Sequence, residues 1–299
     1  MRVTIAAPAS VANLGPGFDI LALAVQLQND VSAESRGGGV VTIDPGEGAS
    51  AGLRNPATNL VSRAYLHACA ALGVTDVGAS FRCVNRIPFG RGLGSSAAAA
   101  LSGVLAAAAL HRAPWDEQAV LDVVSELEGH RDNAAAALLG GLAICAEGAP
   151  AVRMDVPDEL RAVVFAPDSE LATKDARRVV PHELSRADAV FNAGRCALLV
   201  RALAQRDWST LGAAMEDRWH QPQRSALMPA LMPMIAAARA AGAAGAALAG
   251  AGPSVVALSI GDHDAVAAAM AHAAQQHGVT GAALTLAPRN FGARVDMHP

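Results

Sequence analysis

The sequence predicts an α+β fold in two domains. Strand-like and helix-like segments arrive in mixed order in both halves, without the strict strand–helix alternation of a doubly wound parallel sheet. Turn formers gather between Glu147 and Asp158, where Gly148, Pro150 and Pro157 mark a boundary between residues 1–150 and 151–299. The 299 residues suffice for two ordinary domains. Hydrophobic residues make up 52% of the chain, but only three Trp, one Tyr and six Phe are among them, so Ala, Val and Leu must build most of the core.

In chain order, Val3 to Ala7 and Ile20 to Ser35 read as strands on either side of an Asn13 to Asp19 loop, and Val40 to Asp44 as a third. A loop is expected over Gly46 to Pro56, then a helix from Asn59 to Leu72 and a strand from Ala79 to Val84. Pro88-Phe89-Gly90-Arg91-Gly92-Leu93-Gly94-Ser95-Ser96 leads into an Ala/Leu-rich helix that ends near His111. Helices over Asp116 to Glu128 and Asp132 to Leu139 precede a strand at Gly141 to Ala146. Beyond the boundary come a strand at Arg161 to Ala166 and helices over Thr173 to Val179, Ala187 to Gln205, Trp208 to Arg218 and Ala226 to Ala241. Strands at Ala246 to Ala249 and Ser254 to Ile260, a helix over Asp262 to His277 and a strand at Ala282 to Leu286 finish the pattern.

The segment from Pro88 to Ser96 carries the clearest chemistry. Its three glycines let backbone approach an anion, and a serine at the helix start is suited to cap it while first-turn N–H groups and the helix dipole hold phosphate. No Lys follows the last glycine, so this is not a Walker A loop, and the spacing is not that of a dinucleotide fold.

Other classes are disfavoured. With 23 Lys+Arg against 27 Asp+Glu, a nucleic-acid surface is not expected. Cys69, Cys83, Cys145 and Cys196 are scattered in apolar surroundings, as in a reduced protein. Apolar stretches fall short of a membrane span, and the N-terminus lacks the layout of a signal peptide, so a cytoplasmic protein with no membrane partner is expected.

Together with Pro8-Ala9-Ser10-Val11-Ala12-Asn13-Leu14-Gly15-Pro16-Gly17-Phe18-Asp19 and Leu248-Ala249-Gly250-Ala251-Gly252-Pro253-Ser254, the glycine loop resembles the three signature motifs of the GHMP kinases, in order. The resemblance implies an N-terminal domain like ribosomal protein S5 domain 2 and a ferredoxin-like C-terminal domain. It also implies ATP and Mg2+. Glu126-Leu127-Glu128-Gly129-His130-Arg131-Asp132-Asn133, followed by Leu138-Leu139-Gly140-Gly141-Leu142, is similar to the EGHPDN…LLGGL stretch of the homoserine kinases within that family, with Arg131 where that pattern has proline.

The resemblance implies roles for particular residues. Pro88, Gly90, Arg91, Gly92, Leu93, Gly94, Ser95 and Ser96 would bind the nucleotide, helped by Asn59. Ser96 and Glu126 would hold magnesium, with Ser95 and Glu128 as the alternatives. Asp132 and Asn133 would lie nearest the reacting hydroxyl, beside His130, and Thr173 would contact the transferred phosphoryl or the substrate hydroxyl. L-homoserine, a zwitterion, would present its amine to Asp19 and Asn13 and its carboxylate to Arg177 and Arg224, since the planar guanidinium fork matches a carboxylate. Mevalonate has no ammonium and galactose neither charge, so this constellation suits an amino acid better. A homodimer is implied as well. The rival readings are another GHMP small-molecule kinase and a catalytically silent relative that binds a metabolite.

Overall fold

The computed structural model describes residues 1–46 and 51–298. Part of the loop expected over Gly46 to Pro56, residues 47–50, lies outside the described residues. The first strands, β1 (Arg2–Asn13) and β2 (Gly17–Ser35), form a long antiparallel hairpin around Leu14-Gly15-Pro16. After β3 (Val41–Asp44) comes α1 (Leu60–Ala71), which starts where the Asn59 side chain accepts a hydrogen bond from the Val61 N–H. Next are β4 (Ala79–Val84), α2 (Ser95–Leu110), α3 (Glu117–Glu128), α4 (Asp132–Leu139), β5 (Leu142–Ile144) and β6 (Val152–Met154).

The remainder runs β7 (Arg161–Pro167), α5 (Thr173–Arg178), α6 (Arg186–Gln205), α7 (Trp208–Ala214), α8 (Gln221–Arg224), α9 (Leu231–Ala240), β8 (Gly245–Leu248), β9 (Val255–Ser259), α10 (His263–Gln276), β10 (Gly281–Leu286) and β11 (Arg294–His298). Two sheets result. One is seven-stranded along β11-β1-β2-β4-β3, with β5 and β6 branching from the bent β2; the other is antiparallel in the order β10-β7-β9-β8. Only β3 and β4 pair in parallel among the described strands.

The core has three parts. Val3, Ile5 and Ala12 of β1 face α1 to α4, whereas Ala7, Ala9 and Val11 of the same strand pack against Leu199 and Leu203 of α6 and Val164 and Val256 of the second sheet. The face changes between Ile5 and Ala7, close to a register shift after Pro8 where β2 carries Gln26 and Leu27 as extra residues. The third part lies between the second sheet and α9 and α10, around Phe165, Leu231 and Met270. Burial on both sides explains why β1 continues as strand through Ser10 and Asn13, residues that by themselves read as loop.

Four further departures have physical causes. The helix expected over Trp208 to Arg218 ends at Ala214, because the Asp217 carboxylate collects the N–H groups of Trp219, His220 and Gln221 and so opens α8. The helix expected from Ala226 is interrupted, and α9 begins only at Leu231, two residues past Pro229. Strands β6 and β11 were not expected, and both join the seven-stranded sheet from beyond residue 150. Among the described residues no side chain caps α2: its N-cap is Gly94, at φ 73°, and not a serine.

Candidate active site

A cleft of about 110 Å³ lies where the hairpin turn, the glycine loop, the α3–α4 junction, α5, α8 and the β8–β9 loop meet. Its floor is the start of α2. Because neither Ser95 nor Ser96 turns back to cap the helix, the first-turn amides are not taken by a cap, which is the arrangement an anion uses. The loop is wedged in place: a Cβ on Gly92 would stand 2.1 Å from the Ala249 carbonyl oxygen, and one on Gly94 2.2 Å from the Ser10 hydroxyl. The first and third glycine-rich segments are thus both packed directly against the phosphate loop.

Asp132 is 1% exposed at the first turn of α4. Its Oδ1 accepts from the Asn133 N–H at 2.8 Å and meets His130 Nδ1 at 2.9 Å, leaving Oδ2 without a protein donor among the described residues. Asn133 Oδ1 accepts from Ser10 Oγ at 2.9 Å. Burial by itself would lower the pKa of His130, but the hydrogen bond and charge of Asp132 outweigh it and the net shift is upward. Thr173 is the exposed first residue of α5 on the cleft wall.

Opposite lies the charged end. Arg177 donates to both oxygens of Asp19, at 2.6 and 2.9 Å, a bidentate pair that raises the arginine's pKa. The acid expected to meet an amine and the arginine expected to meet a carboxylate are therefore partners of each other here. Arg224 is 1% exposed, and its Nε donates to Ala176 O while Nη1 donates to Gly250 O and to His220 Nδ1. Its Nη2 has no protein partner among the described residues. Burial, reinforced by nearby Arg177, lowers its pKa to about 10, so it stays a cation near neutrality. Asn13 is a brace and not a free polar group: its Nδ2 donates to Gly250 O, and its Oδ1 accepts from the Asp19 N–H.

A second cavity, about 240 Å³, shares Gly90, Ser95 and Ser96 with the cleft and is walled by Pro45, Leu60, Asn85 and Phe89. Its largely apolar walls beside a phosphate cradle suit a nucleoside. Asn59 lines it, but its side chain is spent on Val61 N–H and Leu53 O. Pro88 lines neither cavity, and Leu93 is buried in the core while its carbonyl accepts from the Ser10 N–H. Arg91 lines the cleft but donates to Asp168 O.

Of the two acids on α3, the structure brings Glu128 to the cleft and not Glu126. Ser96 Oγ donates to Glu128 Oε2 at 2.5 Å, whereas Glu126 pairs with His67 at 2.7 Å and lines neither cavity. Two residues apart on a helix means roughly 200° of rotation, so only one can face α2. Glu128→Gln is expected to raise the magnesium concentration needed for half-maximal rate by about tenfold or more, and Glu126→Gln to leave it within about twofold; a magnesium titration of both variants decides between them. His220, absent from the sequence expectations, is fully buried beside Arg224. Its signal was its position four residues before Arg224, one helical turn away.

Burial holds the His220 pKa down to about 4. The unfolded chain releases this ring to titrate near 6.5 and therefore binds more protons between those values, so stability falls as pH drops through that window. Denaturant midpoints are therefore expected to fall from pH 7 to pH 4; an unchanged midpoint would contradict a neutral buried ring.

A helix-start phosphate cradle facing a buried carboxylate, with a separate guanidinium cluster across the cleft, defines a kinase of small polar molecules. The chain belongs to the GHMP kinases: the family's N-terminal domain matches residues 59–141 and its C-terminal domain residues 199–284. The homoserine kinase of Desulfitobacterium hafniense is 38% identical to it, covering 98% of this chain and 99% of the relative. The crystal structure of homoserine kinase from Cytophaga hutchinsonii superposes with a TM-score of 0.87 at 30% identity, covering 99% of this chain and 97% of that one. The galactokinase of Lactococcus lactis, solved with galactose, has a TM-score of 0.72 at 14% identity over 98% and 95%, a likeness of fold alone.

Proposed function

We propose that the protein transfers the γ-phosphoryl group of ATP to the side-chain hydroxyl of L-homoserine, giving O-phospho-L-homoserine and ADP in threonine biosynthesis. The observation that carries this reading is a single cleft that joins the α2 phosphate cradle to Asp132 and Asn133 on one side and to Asp19, Arg177 and Arg224 on the other. A zwitterion with a terminal hydroxyl matches that charge pattern, since the guanidinium groups suit its carboxylate and Asp19 its ammonium. The Phe18 ring lies 5.4 Å from the Arg177 guanidinium and 5.2 Å from that of Arg224, and supports both.

Residues 1–150 supply the nucleotide cradle and residues 151–299 most of the carboxylate clamp. Loop glycines and α2 amides hold the phosphates. Asp132 and Asn133 would hold the acceptor hydroxyl beside the phosphate cradle, and Thr173 would border the transferred group. Phosphoryl transfer through a loose transition state depends chiefly on such positioning and on charge stabilisation. Ser96 and Glu128 offer adjacent hard oxygen ligands at the end of the phosphate loop, and so fit magnesium. Magnesium, when bound there, neutralises charge on the β- and γ-phosphates. The reading extends to a homodimer working in the cytoplasm, a reducing compartment suited to four free cysteines. No helix among the described residues is long and apolar enough to cross a membrane.

The test is ADP release from ATP and magnesium with L-homoserine, L-threonine, L-serine, mevalonate or galactose as acceptor. Stimulation by homoserine above the others is expected. Stimulation by mevalonate or galactose instead, or by none while ATP still binds, would replace this reading with another GHMP kinase or a silent metabolite-binding protein. Arg177→Ala is expected to raise KM for homoserine about tenfold and leave KM for ATP within about twofold; equal changes in both would remove Arg177 from the carboxylate site.

A further inference from the structure

His220 is buried among groups that dictate its proton. Its Nε2 lies 2.7 Å from the Gly15 carbonyl oxygen, which can only accept, so Nε2 carries the hydrogen. Its Nδ1 lies 3.2 Å from Arg224 Nη1, which can only donate, so Nδ1 presents a bare lone pair. The ring is 5.2 Å from that of Phe18, in the hairpin that also carries Asp19. Of the charged groups around it, Asp217 Oδ2 is 3.6 Å from Nε2, beyond a hydrogen bond, while Arg224 and Asp19 complete the set that acts on the ring. With Nε bonded to Ala176 and Nη1 shared between Gly250 and His220, the planar fork of Arg224 has its orientation fixed and only Nη2 left for a ligand.

We infer that His220 is a positioning residue for substrate recognition: its bare Nδ1 holds the Arg224 guanidinium in the orientation that receives the substrate's carboxylate. The inference rests on the homoserine reading above. Burial, which keeps the ring neutral, also preserves the lone pair on which the contact depends.

Two substitutions separate the two ends of the ring. Asparagine places an acceptor near the former Nδ1 and forfeits the Gly15 bond, whereas glutamine reaches Gly15 with its N–H and forfeits the acceptor for Arg224. The expected result is a rise of about tenfold in KM for homoserine in His220→Gln, with kcat and KM for ATP within about twofold, and near-normal values in His220→Asn. On an Arg224→Ala background, His220→Gln should add nothing further.

Equal effects of the two variants, the reverse order, an equal rise in KM for ATP, or full multiplication on the Arg224→Ala background would overturn the inference and leave His220 a purely structural residue. If both variants fail to fold, 15N NMR of histidine-labelled wild-type protein decides the matter. Nδ1 should be unprotonated and shift on adding homoserine; the opposite tautomer, or no shift, overturns the proposal. Wild-type protein that releases no ADP with homoserine would sink the functional reading instead, and the tautomer would still judge the His220–Arg224 contact.

Discussion

Asp132→Asn is expected to lower kcat by about a hundredfold or more and to leave KM for ATP within about threefold. The carboxylate is almost fully buried, and one oxygen is committed to His130 and the Asn133 amide, which fixes the other for the acceptor. An amide keeps the shape but replaces one acceptor with a donor, and it withdraws the negative charge that raises the His130 pKa. His130 is then governed by burial and loses its proton at lower pH. Steady-state ADP release across pH measures both consequences. Loss of the acid limb of the profile would identify Asp132 as the base; a profile of unchanged shape at reduced height would identify it as an orienting group, with the γ-phosphate taking the proton. A near-normal kcat would remove it from the reaction.

Gly92→Ala is expected to cut kcat/KM for ATP by about a hundredfold or more. Gly92 sits at φ 75°, in the left-handed region, and an added methyl would meet backbone and not a yielding side chain: Ala249 O at 2.1 Å, with Gly252 O at 3.1 Å. The loop must move away from the β8–β9 segment, and the phosphate cradle moves with it. Strain of this kind costs about 1–3 kcal/mol, so the melting temperature should fall as well. Gly90 provides the control. It too has positive φ, but a Cβ there approaches only the Glu170 side chain, at 3.4 Å. Gly90→Ala should therefore keep kcat/KM for ATP within about tenfold, and an equal loss in both variants would show that φ alone, not contact with Ala249, sets the effect.

The phosphate loop was legible because its meaning is local: glycine spacing and the helix that follows are both contained within a few turns of chain. The same holds for Asn59, Asp116 and Asp262, whose side chains start helices where the pattern puts them, and Asn59 also lines the apolar cavity beside the glycine loop. Rotation around α3 brings Glu128 and not Glu126 to the cleft, and their identical chemistry conceals this in the sequence. The Asp19–Arg177 pair spans 158 positions, so two residues each assigned to substrate could not be seen to bind one another. His220 was hidden for a related reason: its role depends on Gly15, 205 positions away. Strand β11 alternates Val295 and Met297 with charged or polar neighbours, a pattern too short to count without its partner at the opposite end of the chain.

That pairing bears on how the protein is made. Until β11 docks, the outer side of β1 is an open edge along Arg2 to Ala6, and open edges recruit strands from other molecules. A ribosome releases the N-terminal hairpin long before residues 294–298, at a rate of about 5–20 residues per second. The strand that covers this edge, Arg294–His298, is made long after the hairpin it protects, so its docking guards Arg2–Ala6 against pairing with other molecules as well as extending the sheet.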